Sequence, residues 1–480
     1  MSTRASRRRA RGRGRFLAAF AVVLGAFAVV GATAAGVSLT QGPRATEIQV
    51  DPAAATRESG SRVIFTANQA LGAIDPAQVT VEPATDFTVD AAGRTVGVRF
   101  PTALDAGVTY SVRVEGATGI GGGPSSTLET TFTTPPAEVF SLQRDASGAD
   151  TIVRSTVGGD AVPEPVLEAE QIDDFRATSR YLVATIVQDD GMHVVALDLE
   201  SRTDEGATPY RMEEIRLPGA GVVMGLQVSE RGQLFGFTFT DRHLSAEGGR
   251  ENVLFTGSLR DAFGDGAEVD PVVVGGEEPS IDRWRFVPET SSLLLNDFAG
   301  DLTLVDRTTT DGEVSSFGTA LGIEGVARST YTALIDRADE GFVELDLASG
   351  EQEPISDVDL GGETLLNHMI PLADGGTLRA YSEIVDGLPA DARVVVVDAD
   401  GEVRDVATVA QGDALEQVCA SPSAQYAAVA VAPDLIGNPY DGGLQPLPQN
   451  VETRIYDMDS GDRIDVIEGF DLSWCEVGPW

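Results

Sequence analysis

VVALDLES (194–201), LTLVDRTT (302–309), FVELDLAS (342–349), VVVVDADG (394–401) and TRIYDMDS (453–460) are five versions of one strand. Each is an apolar run that reaches an aspartate, at Asp198, Asp306, Asp346, Asp398 and Asp457, and leads into a polar turn. The last three spacings are 40, 52 and 59 residues; the gap between the first two holds a degenerate copy, VLFTGSLRD (253–261). Before each copy stand two apolar stretches separated by two to four turn-forming residues. They are FRATSRYLVATI, LQVSERGQLFGFTF, WRFVPETSSLLLN, GVARSTYTALID, MIPLADGGTLRAY and VCASPSAQYAAVAV. Such pairs are hairpins, and the nearly unbroken apolar second member fits a strand buried on both faces. A strand–turn–strand unit recurring six times from about residue 170 predicts small sheets stacked side by side around an axis.

That arrangement is a β-propeller, and both ends of the region bear on its closure. GFDLSWCEVGPW (469–480) reads as an opening strand with nothing after it. VFSLQR (139–144), DTIVRSTV (150–157) and VPEPVLEA (162–169) read as strands lacking an opening partner. One sheet assembled from both ends completes a ring over 138–480 and removes two exposed edges. Seven blades is the expectation, with six and eight as alternatives. The repeats resemble the WD40-like and YVTN-like propeller families in rhythm, without a strict WD dipeptide or YVTN string.

Cys419 and Cys475 are the two cysteines. They end the last complete opening strand and the orphan closing strand, so adjacent inner strands would bring them within disulfide reach. The alternative is a pair of buried thiols.

Seven arginines occupy residues 1–15, and Phe16 to Leu39 runs 24 residues without a charge. This is long enough to span a bilayer, with the arginines holding the tail in the cytoplasm. The rival reading is a secretory signal cleaved near Ala34, after Ala32-Thr33-Ala34. Either way the rest of the chain is exported, which favours a disulfide.

Residues 44–136 form a separate block of about seven short strands, suggesting a β-sandwich. VDP (50–52), VIFTANQAL (63–71), DAGVTYSVRVEG (105–116) and TFTTP (131–135) resemble the bacterial Ig-like domains of surface-layer and other exported proteins. The resemblance implies a spacer or adhesion module, here a stalk joined through Pro135-Pro136. The fold expected is therefore all-β: an N-terminal transmembrane helix, an Ig-like sandwich, and a propeller closed by the C-terminal strand.

The chain carries 34 basic residues, all arginine, against 75 acidic ones, for a net charge of −41. No acidic residue precedes Glu47, so the exported part is more acidic still. Such a surface repels phosphate backbones, which argues against nucleic acid and anionic wall polymers as ligands. The absence of lysine and abundance of Ala, Gly, Val and Arg fit a GC-rich genome, suggesting an actinobacterial surface.

No nucleophile elbow, H-E-x-x-H motif or P-loop occurs, and His193, His243 and His368 are not spaced as metal ligands. Asp398-Ala-Asp-Gly-Glu402 and Asp457 to Asp462 faintly resemble calcium loops but coincide with the repeated turn. No catalytic, cofactor or metal residue is assigned. Two insertions depart from the repeat: 433–450, with Tyr440, Leu444 and Leu447, and 241–251, with His243 and Arg250. They are the candidate binding loops. The reading is a membrane-anchored extracytoplasmic binding or scaffold protein of the cell envelope, partnered by an envelope protein or wall-associated ligand. Its rivals are a propeller hydrolase or lyase acting on envelope carbohydrate, and a small-ligand or calcium module. The enzyme reading expects carboxylates or histidines from several blades to converge at the channel mouth.

Overall fold

The computed structural model describes residues 42–144, 149–203, 208–245, 248–264, 266, 268–307, 313–441 and 446–479. The arginine-rich tail, the apolar segment 16–39 with Ala34, and Leu444 lie outside the described residues. Among the described residues no helix is long and apolar enough to cross a membrane. Helix is confined there to Pro52–Ala55, Leu259–Ala262 and the 3-10 turn Pro76–Gln78. The described residues are all-β, in two compact units.

Among the described residues the first unit gathers 42–51 with 61–100 and 109–133. One sheet orders Ala45–Gln49, Arg62–Ala67, Thr95–Arg99 and Thr88–Ala92 side by side; the other orders Val79–Glu82, Thr109–Ala117 and Ser126–Thr133. All pairs are antiparallel. The period-2 pattern of the sequence decides the buried faces: Val63, Phe65 and Ala67 on one strand, Tyr110, Val112 and Val114 on another. Burying a side chain such as Phe65 contributes about 1.5–3 kcal/mol.

The second unit comprises 52–60, 101–108 and 134–480. Six four-stranded sheets follow one another, each with its strands side by side in chain order. Their first strands are Ile172–Ala177, Gly221–Ser229, Ile281–Phe286, Gly322–Val326, Thr364–Pro371 and Ala414–Ala420, each touching the first strand of the next sheet. First strands therefore line an axis from which the sheets radiate, and this unit is a β-propeller. Because all first strands run the same way, first-to-second hairpins collect at one mouth and second-to-third hairpins at the other.

Second strands explain their own composition. In Tyr181–Gln188, Leu182, Ala184 and Ile186 enter the core shared with Leu142 and Ala430, while Tyr181 and Val183 enter the opposite core around Phe235, Phe237 and Phe239. With sheets packed on both faces, both sides of the strand are mainly apolar, Thr185 being its one buried polar side chain. The aspartates at 198, 346, 398 and 457 organise the following turn. Asp346 Oδ1 accepts from the Ala348 and Ser349 amides at 2.7 and 2.8 Å. Asp398 does so from Asp400 and Glu402, and Asp457 from Asp459 and Ser460. In the degenerate copy, Ser258 takes the position and caps Leu259–Ala262 instead.

A three-stranded sheet, Glu138–Gln143, Asp150–Thr156 and Glu164–Ala169, receives its inner edge from the C-terminal segment. The Leu142 amide donates to Phe470 O at 2.9 Å, the Phe470 amide to Leu142 O at 3.1 Å, and the Ser473 amide to Phe140 O at 3.0 Å. Cys475, just beyond, is disulfide-bonded to Cys419 with Cα atoms 5.1 Å apart. The bond spans 56 residues, a loop for which closure entropy gives about 4 kcal/mol. Replacing both cysteines with serine should lower the unfolding free energy by about 2–4 kcal/mol. The measurement is the urea midpoint; an unchanged midpoint would remove the latch role.

Candidate functional site

The inner strands and closing segment send charged side chains toward the axis. Arg176 Nη1 donates to Asp471 Oδ1 and Oδ2 at 2.9 and 2.8 Å and lies 2.7 Å from Asp174 Oδ1. Gln417 Nε2 donates to Asp471 Oδ1 at 3.3 Å and to Val477 O at 2.6 Å. Arg285 donates to Trp284 O at 2.8 Å and Ile323 O at 3.3 Å, with Glu476 3.9 Å away. Arg176 and Asp471 are almost fully buried. Burial holds the Asp174 carboxyl well above the usual carboxylate range; Arg176 opposes this, and Asp471 reinforces it. Burial also raises Glu324, against the pull of Arg283 and Arg285. Carboxylates do converge on the axis, as an enzyme would require, but they are engaged with guanidinium groups. Among the described residues no cluster of three or more His, Cys, Asp or Glu side chains is arranged to hold a metal.

The candidate loops lie at the second-to-third mouth. Insertion 433–450 is built around buried Asn438, whose Nδ2 donates to Pro433 O at 3.2 Å and Asn450 O at 2.7 Å. Its Oδ1 accepts the Asn450 amide at 3.0 Å. Asp441 is ion-paired with Arg144. Tyr440 is exposed, whereas Leu447 is half-buried against the core between sheets. In the second insertion His243 is exposed. Arg250 turns back on its own hairpin, with Nη2 and Nε bonded to Asp241 Oδ1 and Oδ2 at 2.8 and 3.0 Å and its guanidinium over Phe239. It clamps the loop base.

A cavity of about 410 Å³ opens at the first-to-second mouth, within the second unit. Hairpin residues Ser179, Glu230 and Glu289 border it, as do Arg328, Tyr426 and Trp474. Segments 52–60 and 101–108 complete the wall: the Ala106 amide donates to Gln425 Oε1 at 2.8 Å and the Ser59 amide to Glu289 Oε1 at 3.3 Å. A smaller cavity of about 70 Å³ shares Arg328, Trp474 and Glu476 and reaches His368. Sequence reasoning passed over Arg328, which in GVARSTY reads as one more turn arginine. It also passed over Asn438, whose partners are five and twelve residues away.

No protein-family model matches the chain, and no curated protein matches it in sequence. Solved structures do match. The β-propeller domain of Cps50 (Swd1) from Myceliophteria thermophila is 14% identical, over 62% of this chain and 86% of that one, with TM-score 0.38. An oligogalacturonate lyase in complex with manganese is 11% identical over 68% and 84%, with TM-score 0.44. Prolyl oligopeptidase B from Galerina marginata is 8% identical over 69% and 51%, with TM-score 0.44. Such likenesses carry no function to this chain.

Arg176→Met should destabilise the ring by about 3–5 kcal/mol, because it strands buried Asp471. Adding Asp471→Leu should recover most of that loss; urea unfolding of both variants checks it. Burial lowers His368 from 6.5 to about 4. The unfolded chain therefore binds more protons between these values, so stability falls as pH drops from 6.5 through 4. The loss at His368, discounted for its partial exposure, is on the order of 2 kcal/mol. His368→Asn should flatten that part of the stability-versus-pH curve relative to the wild type.

Proposed function

We propose that the chain is a membrane-anchored, extracytoplasmic binding or scaffold protein of the bacterial cell envelope. In this reading residues 16–39 anchor it, an Ig-like stalk occupies 44–136, and the ring has seven blades, the composite sheet being the seventh. One observation carries the binding role. At the second-to-third mouth, hairpin tips present exposed apolar side chains: Phe298, Val385, Leu388, Ile436 and Tyr440, with Ile436 97% exposed. Acidic residues flank them, namely Asp297 and Asp301, Asp386, and Asp434 and Asp441. Asp386 and Gly387 take positive φ in a two-residue turn that pairs Val385 with Leu388, so this tip is fixed by its backbone.

Apolar side chains at several tips on one mouth of a propeller suit a protein partner better than solvent does. Their acidic surroundings select a basic, partly apolar surface and would speed its encounter at low salt. The partner in this reading is another envelope protein.

Crosslinking in native membranes should recover one envelope protein repeatedly. Phe298→Ser, Leu388→Ser and Ile436→Ser together should reduce that recovery at least about tenfold. Such exposed positions should each shift stability by no more than about 0.5 kcal/mol. Equal recovery from the triple variant would refute the docking role of this mouth. Release of the chain from membranes by an alkaline wash would refute the anchor.

A further inference from the structure

We propose that the cavity at the first-to-second mouth is a binding site for a small organic carboxylate carrying an aromatic ring. This goes beyond the scaffold reading and uses the opposite end of the ring. The volume of about 410 Å³ falls within the size range of ligand pockets.

The charges of its wall are mostly committed to one another. Arg154 is bonded to Glu164 at 2.6 Å, and Arg176 to Asp471. Glu230 accepts the Ser179 amide at 2.7 Å, and Glu289 pairs with Arg231 at 3.2 Å. Glu476 faces Arg285. Two guanidinium groups remain, Arg57 and Arg328, whose side chains form no hydrogen bond or ion pair among the described residues. Arg57 is exposed at the wall, and Arg328 is half-buried where the two cavities adjoin. Glu138 is the carboxylate left over, exposed at the rim.

A half-buried guanidinium without an acceptor loses hydration and gains nothing in return. A carboxylate that accepts its two parallel N–H groups offsets that loss with charge-assisted hydrogen bonds. The chain's charge of −41 opposes an anion at long range. However, that field is screened beyond about 8 Å at physiological salt, whereas contact with Arg328 in a partly dehydrated recess is not. The recess also holds flat apolar surface. Trp474 and Tyr426 stack with centroids 6.1 Å apart and planes 8° from parallel, and Phe286 lies in the same wall. The disulfide at Cys475 fixes Trp474, so the platform is formed before any ligand arrives. An aromatic carboxylate uses both halves of the site.

That chemistry has two sources, a free N-acyl aromatic amino acid and the C-terminus of a peptide. The test titrates the full chain in detergent by calorimetry with N-acetyl-tryptophan, a hexapeptide ending in tryptophan, and the primary amide of each. The acids should bind at least about tenfold more tightly than their amides, a gap of about 1.4 kcal/mol. Arg328→Gln should erase the difference between acid and amide while leaving weak aromatic binding. If Arg328→Gln does not fold, Arg328→Lys, which keeps the charge and loses the fork, should narrow the gap instead. Binding by the peptide acid alone assigns the peptide source; binding by both acids assigns the free carboxylate. Failure of both acids to bind at 10 mM, equal affinity for acid and amide, or a preference that survives Arg328→Gln would each overturn the proposal.

Discussion

The second unit depends on one edge-to-edge pairing, the exchange of backbone hydrogen bonds between Leu142 and Phe470. A series of sheets that each bury two faces is stable only if the first and last also find neighbours. Otherwise two apolar faces and two unpaired edges meet water. Pairing residues more than three hundred positions apart is entropically costly, and the chain offsets this in two ways. The closing segment buries Phe470, Leu472 and Trp474, and Cys475 is tied covalently to the neighbouring inner strand.

Closure has a consequence at the axis. The segment that completes the ring carries Asp471, Glu476 and Val477 inward, where they meet Arg176, Arg285 and Gln417. These contacts bury charge, and buried ion pairs add little net stability over an apolar filling of equal shape. What they supply is register: a closing strand shifted by one residue would take Asp471 away from Arg176 and Gln417. The two mouths then differ. At one, hairpin tips carry apolar and acidic side chains outward; at the other, a recess lined by arginine and aromatic rings opens inward.

Much of this was legible residue by residue. The aspartates at 198, 346, 398 and 457 mark turns because a short carboxylate next to its own backbone amides makes the same hydrogen bonds wherever it recurs. The unbroken apolar character of 427–432 announces a strand covered on both faces, and the placement of Cys419 and Cys475 announced their bond. Leu447 and Arg250 show where such reading stops. Both stand in loops rich in turn residues, where an apolar or basic side chain looks available. Yet Leu447 finds an inter-sheet core and Arg250 finds Asp241 and Phe239. Whether a loop side chain faces outward depends on what lies beneath it, and no local pattern contains that.

The sequence alone determined the all-β class, the recurring strand–turn unit, the composite closing sheet and the disulfide. Each follows from short-range facts: side-chain alternation with period two, turn chemistry, and cysteines at the ends of matching strands. Only the tertiary structure decided which charges meet at the axis and which arginines of the cavity wall lack a partner among the described residues. Arg176 and Asp471 lie 295 residues apart. Arg328 is uncommitted only because the carboxylates around it face other groups. Neighbours brought together by ring closure leave no trace in the spacing of residues along the chain.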